Sequence, residues 1–432
     1  MYFYAGLVLV LMVIAFIVGK KLKLSVELCM LCAALTGSVV YLISDGEFPL
    51  RHIVEGSFTY LDVVLIFITA TFFMNLLKES GGIAYLVRKI VVSFHKRRNV
   101  CLLLLTFVLL IPGALTGAGA ATVLTVGTLV GTVLMYMGIN KEKTAAIIFI
   151  CAAMSAAAPP INLWAMMAAA GSNMPYVGFF LPLLVLTVTG ALFAMFFLGR
   201  KGTPIDINKA LKELPVPPEK MNGFRVGVPF LVLFALILAS RIWPFQMPII
   251  GLPLMFILAS LSAIILSPKK LKILDIATHT VKSLIPLIGM MIVVGILIQI
   301  MALTGARGLI SLGVVTLPVI VLYFTLFIIL PVSEGLLQYA VAPLLGVPLI
   351  LLFNMKGLNP IIALSAMAVM WPVGDILPPT AVVGRAVVME LNYKGNYYKG
   401  FLKTSLIPML FILLLATLFI VFSNQLSFLV AG

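Results

Sequence analysis

The sequence has little charge and few cysteines and histidines. Only 10% of its 432 residues are charged, and it contains four cysteines and three histidines. Cys29 and Cys32 form a C-x-x-C pair inside an apolar stretch, which disfavours the thiolate that redox chemistry or metal binding needs. The histidines, His52, His95 and His279, are far apart in the sequence. We therefore predict neither a redox pair nor a metal cluster, and we expect the cysteines to serve in packing.

Long apolar runs fill most of the chain instead. Hydrophobic residues make up 62% of the sequence and the mean hydropathy is +1.22, whereas soluble domains are about 45–50% apolar. Runs long enough to cross about 30 Å of hydrocarbon as helices occur at 2–19, 25–44, 58–77, 177–199, 224–240, 248–267, 284–302, 310–330 and 401–422. The runs lack the alternation of barrel strands, so their backbone groups must be satisfied within helices. The sequence predicts an all-α polytopic membrane protein.

The basic residues lie in short clusters between these runs. The net charge is +15, and the clusters are Lys20-Lys21 with Lys23, Lys96-Arg97-Arg98, Arg200-Lys201, and Lys269-Lys270 with Lys272. This distribution is typical of cytoplasmic loops rather than of a nucleic-acid-binding face. It predicts a multi-pass protein of the cell (inner) membrane with an external N-terminus. The first run follows no basic leader and shows no cleavage site, so we expect it to be retained as a helix.

The two halves of the chain share unusual residues at one spacing. A shift of 219 residues relates Pro112 to Pro331, Gly138 to Gly357, Asn140 to Asn359, and Pro159-Pro160 to Pro378-Pro379. Agreement among several rare residues indicates an internal repeat. The prediction is two inverted-topology repeats. Its segments are N-terminal scaffold helices at 1–54, a first repeat at 55–199, a cytoplasmic linker at 200–223, scaffold helices at 224–283, and a second repeat with the C-terminal helix at 284–432.

The proline pairs predict interruptions of membrane helices, because two adjacent prolines remove two amide donors and clash with the preceding turn. Helices should therefore end at Pro159-Pro160, after 144–158, and at Pro378-Pro379, after 361–377, with short helices beginning near Ile161 and Thr380. Stretches 115–120 and 331–335 are predicted to be the tips of re-entrant hairpins. Non-helical backbone at membrane depth is tolerated beside protein or a water-filled cavity, so these breaks predict a central polar site.

The intervals between these features resemble those of one transporter family. They are similar to the large permease subunit of TRAP (tripartite ATP-independent periplasmic) transporters, the DctM-like branch of the ion transporter superfamily. The matching features are the turn Thr116-Gly117-Ala118, Gly127, Gly138 and Pro159-Pro160 in the first half, Gly357-Leu358-Asn359-Pro360 and Gly374 in the second, and residues 79–90, which resemble the amphipathic arm after the third helix. The sequence departs from the family at Thr116, Ala118, Ser155 and Leu377.

The resemblance implies an elevator-type secondary transporter that imports a small organic acid, such as a dicarboxylate, with Na⁺ as the coupling ion and no other cofactor. It also implies two protein partners, a small DctQ-like membrane subunit and a periplasmic substrate-binding protein. The residues expected to bind the ion, through freed carbonyls, hydroxyls or carboxylates, are Thr116, Gly117, Gly119, Ser155, Ala158, Ser333, Glu334, Gly335, Gly374 and Asp375.

Three side chains near the short helices are candidate substrate ligands, namely Asn162, Thr380 and Arg385. Helix capping is the alternative role for Asn162 and Thr380, and snorkelling to the interface is the alternative for Arg385. Glu334 and Asp375 stand out among the acidic residues because carboxylates in a bilayer are costly and usually functional. They could ligate a cation, carry a coupled proton, or reach an aqueous pocket.

Other functions agree less well with the sequence. A stand-alone organic anion carrier of the same superfamily, coupled to Na⁺ or H⁺, would need no binding protein. An intramembrane enzyme would need clustered acidic or histidine residues at one face, which the sequence does not show, so we predict no enzymatic activity. A channel would be expected to show charged pore rings or filter motifs.

Overall fold

The computed structural model describes residues 2–205, 207–243, 246, 248, 250–316 and 318–430. Within them the regular structure is helical throughout. The helices are α1 Tyr2–Lys21, α2 Val26–Asp45, α3 Leu50–Phe58, α4 Leu61–Glu79, α5 Gly82–Phe94, α6 Arg98–Thr116, α7 Gly119–Thr122, α8 Thr128–Tyr136, α9 Lys141–Ala157, α10 Leu163–Gly171, α11 Phe180–Leu198, α12 Ile207–Glu213, α13 Gly223–Ile242, α14 Leu252–Leu266, α15 Ile273–Leu303, α16 Ala306–Val315, α17 Val319–Leu337, α18 Val347–Met355, α19 Pro360–Val373, α20 Val382–Glu390 and α21 Lys403–Val421.

Ten helical stretches in the described residues are long and apolar enough to cross a membrane. Three shorter apolar helices, at Leu252–Leu266, Ala342–Met355 and Pro360–Ile376, accompany them. Helix α15 packs against α2, α3 and α4 on one side of the molecule, and α9 and α19 pack against each other and against α11 and α21 on the other. The predicted all-α polytopic fold is confirmed.

The first helical hairpin forms where small residues interrupt the apolar run; that it is re-entrant stays a prediction. Helix α6 ends at Thr116, Gly117 adopts the left-handed conformation with φ of 64°, and α7 begins at Gly119. A Cβ atom at Gly117 would lie 2.9 Å from the Phe67 ring, so both the backbone angle and the space favour glycine. A π-helical segment, Val123–Gly127, then leads into α8. The predicted interruption at 115–120 is confirmed.

The second hairpin turns at a different place from the one predicted. Helix α17 runs without a break through 331–335 to Leu337, and the chain turns at Gln338, where φ is 55°. A π-helical segment, Ala342–Gly346, then leads into α18. The prediction of a break at 331–335 was wrong, because a single proline removes one amide donor and a membrane helix can continue through it. Pro112 is likewise contained within α6.

Both proline pairs end helices as the sequence predicts. Helix α9 ends at Ala157 before Pro159-Pro160, and α19 passes into a 3-10 turn at Gly374–Ile376 before Pro378-Pro379. Each pair contains a cis peptide bond. The short helices α10 and α20 follow within a few residues, at Leu163 and Val382. These predicted ends and starts are confirmed.

The paired asparagines of the two halves are helix caps. The Asn140 side chain accepts a hydrogen bond from the Lys143 amide at 3.0 Å, which caps α9. The Asn359 side chain accepts from the Ile361 amide at 3.0 Å and the Ile362 amide at 3.2 Å, which caps α19. Their shared spacing therefore marks equivalent helix starts.

Helices α9 and α19 begin at opposite ends of the bundle. Beside the start of α9, Glu142 Oε1 lies 3.0 Å from the position of a Cβ atom at Gly400, just ahead of α21, and Lys141 Nζ donates to Asn392 O at 2.8 Å in the connection between α20 and α21. Before the start of α19, Gly357 O accepts from Asn424 Nδ2 at 2.9 Å, just beyond α21. The intervening helix α21 is about 28 Å long at 1.5 Å per residue. Two repeats of inverted topology require their equivalent helices to begin at opposite ends of the bundle in this way. The superposition of the two repeats and the boundaries of the five predicted segments stay predictions.

Candidate ion and substrate site

The second interruption brings two buried carboxyl groups into neighbouring segments. Glu334 is 0% exposed near the end of α17, and Asp375 is 3% exposed in the turn after α19. The two segments are in close contact, because a Cβ atom at Gly335 would lie 2.9 Å from Leu377 Cβ and 3.4 Å from Gly374 O. Five predicted ion ligands therefore lie together, namely Ser333, Glu334, Gly335, Gly374 and Asp375. Ion binding by them stays a prediction.

The polar partners of this carboxyl pair are few. Trp164 Nε1, from α10 of the other half, donates to Glu334 Oε2 at 2.8 Å. The Trp164 ring lies 4.9 Å from the ring of Tyr339, which follows α17. Glu334 Oε1 is buried and has no hydrogen-bond partner among the described residues, and no salt bridge reaches either carboxyl group there. A buried carboxylate without a positive partner is costly, so these groups favour a proton or a bound cation.

Trp164 and Tyr339 were missed by the sequence interpretation. Trp164 is separated from Glu334 by 170 residues, and no local pattern connects them. The sequence did contain one indication that Trp164 has a special role. It is one of only three tryptophans, and it follows the predicted break at Pro159-Pro160 by a few residues. A tryptophan buried beside a break needs a partner for its indole N–H. Here that partner is Glu334.

Replacing Trp164 by phenylalanine should destabilise the protein and change its cation dependence. A hydrogen bond to a charged group contributes about 1.5–3 kcal/mol, and its loss leaves both Glu334 oxygens without a donor in the described structure. Trp371→Phe is the matched control, since the Trp371 indole nitrogen is buried without a hydrogen-bond partner in the described structure. Both variants lose buried ring volume, so the unfolding midpoint should fall in both, and it should fall further in Trp164→Phe because only that variant also loses a hydrogen bond. Equal losses for both variants would assign the effect to ring packing.

Side-chain donors fix the carbonyl groups of the second break. Thr380 donates through both its amide and its hydroxyl to Gly335 O, at 3.2 and 2.9 Å. Arg385 Nη2 donates to Pro379 O at 2.6 Å, and Tyr397 OH donates to Ile376 O at 2.7 Å. The carbonyl oxygens of Pro379 and Ile376 each retain a second lone pair for a ligand, whereas Gly335 O already accepts two hydrogen bonds from Thr380.

A cavity of about 520 Å³ adjoins this break. The cavity is lined by residues that include Gln338, Pro379, Thr380, Arg385, Lys20, Ser25, Glu27 and Glu390. The structure thus places Thr380 and Arg385, two of the three predicted substrate ligands, in one cavity. Glu334 and Asp375 do not line it, although they lie in the segments directly behind Gln338 and Thr380.

The first break is built from hydroxyl groups that already have partners. Thr116 Oγ1 donates to Pro112 O at 2.7 Å. Ser155 Oγ donates to Ala152 O at 2.7 Å and lies 2.7 Å from Thr122 Oγ1. Each hydroxyl oxygen keeps acceptor capacity, but no carboxyl group takes the place that Glu334 and Asp375 have in the second half.

The other predicted residues of the first break are packed between helices. A Cβ atom at Gly119 would lie 2.9 Å from Ala152 O, and Ala158 is the residue that follows α9. The Asn162 side chain accepts from the Ala165 amide at 2.9 Å and donates to Ala157 O at 2.7 Å. Asn162 is therefore the cap of α10, and the structure does not bring it to the cavity that holds Thr380 and Arg385.

Each short helix packs against the hairpin of the other half. Helix α10 contacts the π-helical segment Ala342–Gly346, and α20 contacts its counterpart Val123–Gly127. The approach is close, since a Cβ atom at Gly346 would lie 2.9 Å from Ala168 Cβ, and one at Gly119 would lie 3.0 Å from Val383. Each break therefore contributes a short helix that is in direct contact with the other half of the chain.

The fold of this chain is similar to that of two membrane transporters of known structure. The YdaH transporter of Alcanivorax borkumensis shares 13% sequence identity, and the match covers 86% of this chain and 87% of that one with a TM-score of 0.63. Neisseria gonorrhoeae MtrF, described as illuminating a class of antimetabolite efflux pumps, shares 14% identity over 89% of this chain and 84% of that one, also with a TM-score of 0.63. These similarities establish a shared fold. No protein-family model and no curated protein matches the sequence.

Proposed function

We propose that the protein is a secondary active transporter that imports a small organic anion together with a cation taken up by Glu334 and Asp375. The observation that supports this most strongly is the pair of buried carboxyl groups, which have no positive partner in the described part of the chain. A cation that enters there would neutralise charge that the protein leaves uncompensated. Na⁺ is the proposed ion, because carbonyl and carboxylate oxygens surround the break. A proton is the alternative.

The neighbouring cavity supports an anionic substrate. Arg385 uses one N–H on Pro379 O, and its remaining donors can bind a carboxylate in the fork geometry of a guanidinium group. Thr380 lines the same cavity, and both it and Arg385 hold carbonyls of the break. A substrate that recruits either side chain would loosen a carbonyl next to the ion site. Substrate and cation binding would be coupled in this way.

The coupling ion can be identified in proteoliposomes that contain the purified chain. Labelled succinate serves as the probe, because a small dicarboxylate is the substrate class that the sequence resemblance implies. Uptake should require an inward Na⁺ gradient and should stop when choline replaces Na⁺. Uptake that is unaffected by choline and collapses with a protonophore would instead assign the coupling to protons, with the same two carboxyl groups as carriers.

A second candidate function is that of a TRAP large permease subunit. The spacing of Gly138 and Pro159-Pro160 favours it, as does α5, which places Ile83, Val87 and Val91 on one buried face, as an amphipathic arm does. A DctQ-like subunit and a periplasmic binding protein would then be the proposed partners. Uptake by the chain alone distinguishes the two functions, since a stand-alone carrier transports without them and a TRAP subunit does not.

A further inference from the structure

An apolar groove of about 770 Å³ separates the first helix from the second hairpin. Its walls include Leu9, Val13 and Phe16 of α1, Met301 of α15, Leu336 of α17, and Leu345 of the π-helical segment. Within the described structure, Lys20 and Lys23 are the only charged residues that line it. The groove is thus an apolar channel with two positive charges at one end.

The local fold of the chain holds these two lysines together. Helix α1 ends at Lys21, and the turn that follows is closed by hydrogen bonds from Lys23 N to Lys20 O at 3.0 Å and from Leu24 N to Gly19 O at 3.1 Å. Lys23 adopts the left-handed conformation, with φ of 60°. Both lysines therefore lie at the mouth of the groove. Lys21 lies between them in sequence, is exposed, and does not line the groove.

The length of the groove matches one leaflet of a bilayer. Leu9 precedes Lys20 by three helical turns, which is about 16 Å at 1.5 Å per residue. Half of a hydrocarbon core of about 30 Å is close to the same distance. Lys20 also lines the cavity beside the second break together with Glu390, at the end of α20 where Lys141 binds Asn392 O. That is the end at which the basic clusters predict the cytoplasm.

We propose that this groove binds an anionic phospholipid, with one acyl chain along Leu9–Phe16 and its phosphate at Lys20 and Lys23. The charges are complementary, because basic pockets between membrane helices on the cytoplasmic side bind anionic headgroups. The acyl chain would fill apolar volume that water would occupy at a cost. The lipid would contact both α1 and the second hairpin. This inference does not depend on the proposed transport function.

Lipid binding can be measured on the intact chain in detergent, by native mass spectrometry and by thermal unfolding with added lipid. Two lysines at the interface should make phosphatidylglycerol bind about thirtyfold tighter than phosphatidylcholine. The double variant Lys20→Gln/Lys23→Gln should lose this preference. Lys21→Gln should retain it. Equal preference in all three proteins, or an equal loss in Lys21→Gln, would overturn the proposal.

Two further measurements test whether an acyl chain occupies the groove and whether the bound phosphate must belong to a lipid. Val13→Trp places a large ring in the groove and leaves both lysines intact, so binding of phosphatidylglycerol should fall at least about tenfold. Glycerol phosphate, which carries the phosphate without acyl chains, should neither bind nor raise the unfolding midpoint at lipid concentrations. Unchanged lipid binding by Val13→Trp would show that the groove is not occupied by a chain, and binding of glycerol phosphate would indicate a simple phosphate site.

Discussion

Replacing Asp375 by asparagine should make cation-coupled accumulation require a much higher external Na⁺ concentration and should leave the protein folded and inserted in the membrane. The change keeps the size of a side chain that is 3% exposed and removes its charge. Charge-assisted contacts contribute about 1.5–3 kcal/mol each, so the affinity for the coupling cation should fall about tenfold to one hundredfold. Uptake of labelled succinate, measured against external Na⁺ in proteoliposomes, gives this shift directly.

Glu27→Gln is the control for this experiment. Glu27 lines the cavity that adjoins the second break but lies at the start of α2, so its loss should leave the Na⁺ dependence unchanged. Wild-type uptake by Asp375→Asn, with the same Na⁺ dependence, would show that Asp375 is a solvated neighbour of the break. The ion would then be held by Glu334, carbonyls and hydroxyls.

The largest loss of stability is expected for Gly374→Ala. A Cβ atom at Gly374 would overlap the carbonyl oxygen of Pro331, where α17 crosses the end of α19. The obstacle is backbone rather than a movable side chain, so the cost should exceed the roughly 1–3 kcal/mol that is typical of overpacking. Thermal unfolding of the purified variant should show a midpoint well below that of the wild type, or the variant should fail to accumulate in the membrane.

Gly289→Ala provides the matched comparison. Gly289 lies inside α15, and nothing lies within 4 Å of the position of an added Cβ atom. Alanine favours the helix by about 0.5–1 kcal/mol there, so this variant should be as stable as the wild type or more stable. If Gly374→Ala unfolded at the wild-type midpoint, the close crossing of α17 and the end of α19 would be contradicted.

The equivalent crossing in the first half, between α6 and the end of α9, explains one departure of the sequence from the family that it resembles. In the first half, Ser155 has the position that Gly374 has in the second half, 219 residues earlier. The space there is supplied by the opposite helix, since a Cβ atom at Gly113 would overlap the Ser155 side chain. The glycine that leaves space for the crossing is therefore Gly374, at the end of α19, in the second half, and Gly113, within α6, in the first half. Such a compensation cannot be recognised until the two helices are known to cross.

The parts of the fold that could be predicted from sequence depend on local chemistry. Adjacent prolines cannot continue a helix, so Pro159-Pro160 and Pro378-Pro379 marked helix ends that the structure has. The turn of the second hairpin at Gln338 could not be predicted, because a φ of 55° with a ψ of −145° occurs there at a glutamine, which has no preference for that conformation. Helix α17 continues through Pro331. The sequence alone does not show whether a membrane helix will continue through a single proline or end there.

The candidate site was predictable only in part for a similar reason. Glu334 and Asp375 were recognisable as acidic residues in apolar surroundings, and they lie in segments that contact each other. The indole of Trp164 reaches Glu334 from the other half of the chain. That contact depends on how α10 packs against the second hairpin. It is a consequence of the three-dimensional arrangement of the two halves.

Equilibrium binding of ²²Na⁺ to the purified protein tests the proposed cation site directly and requires no knowledge of the transported anion. Binding by the wild type should be saturable, and it should weaken at least about tenfold in both Glu334→Gln and Asp375→Asn, with Glu27→Gln unchanged. Saturable binding that is the same in all four proteins would contradict the assignment of the cation site to these two carboxyl groups.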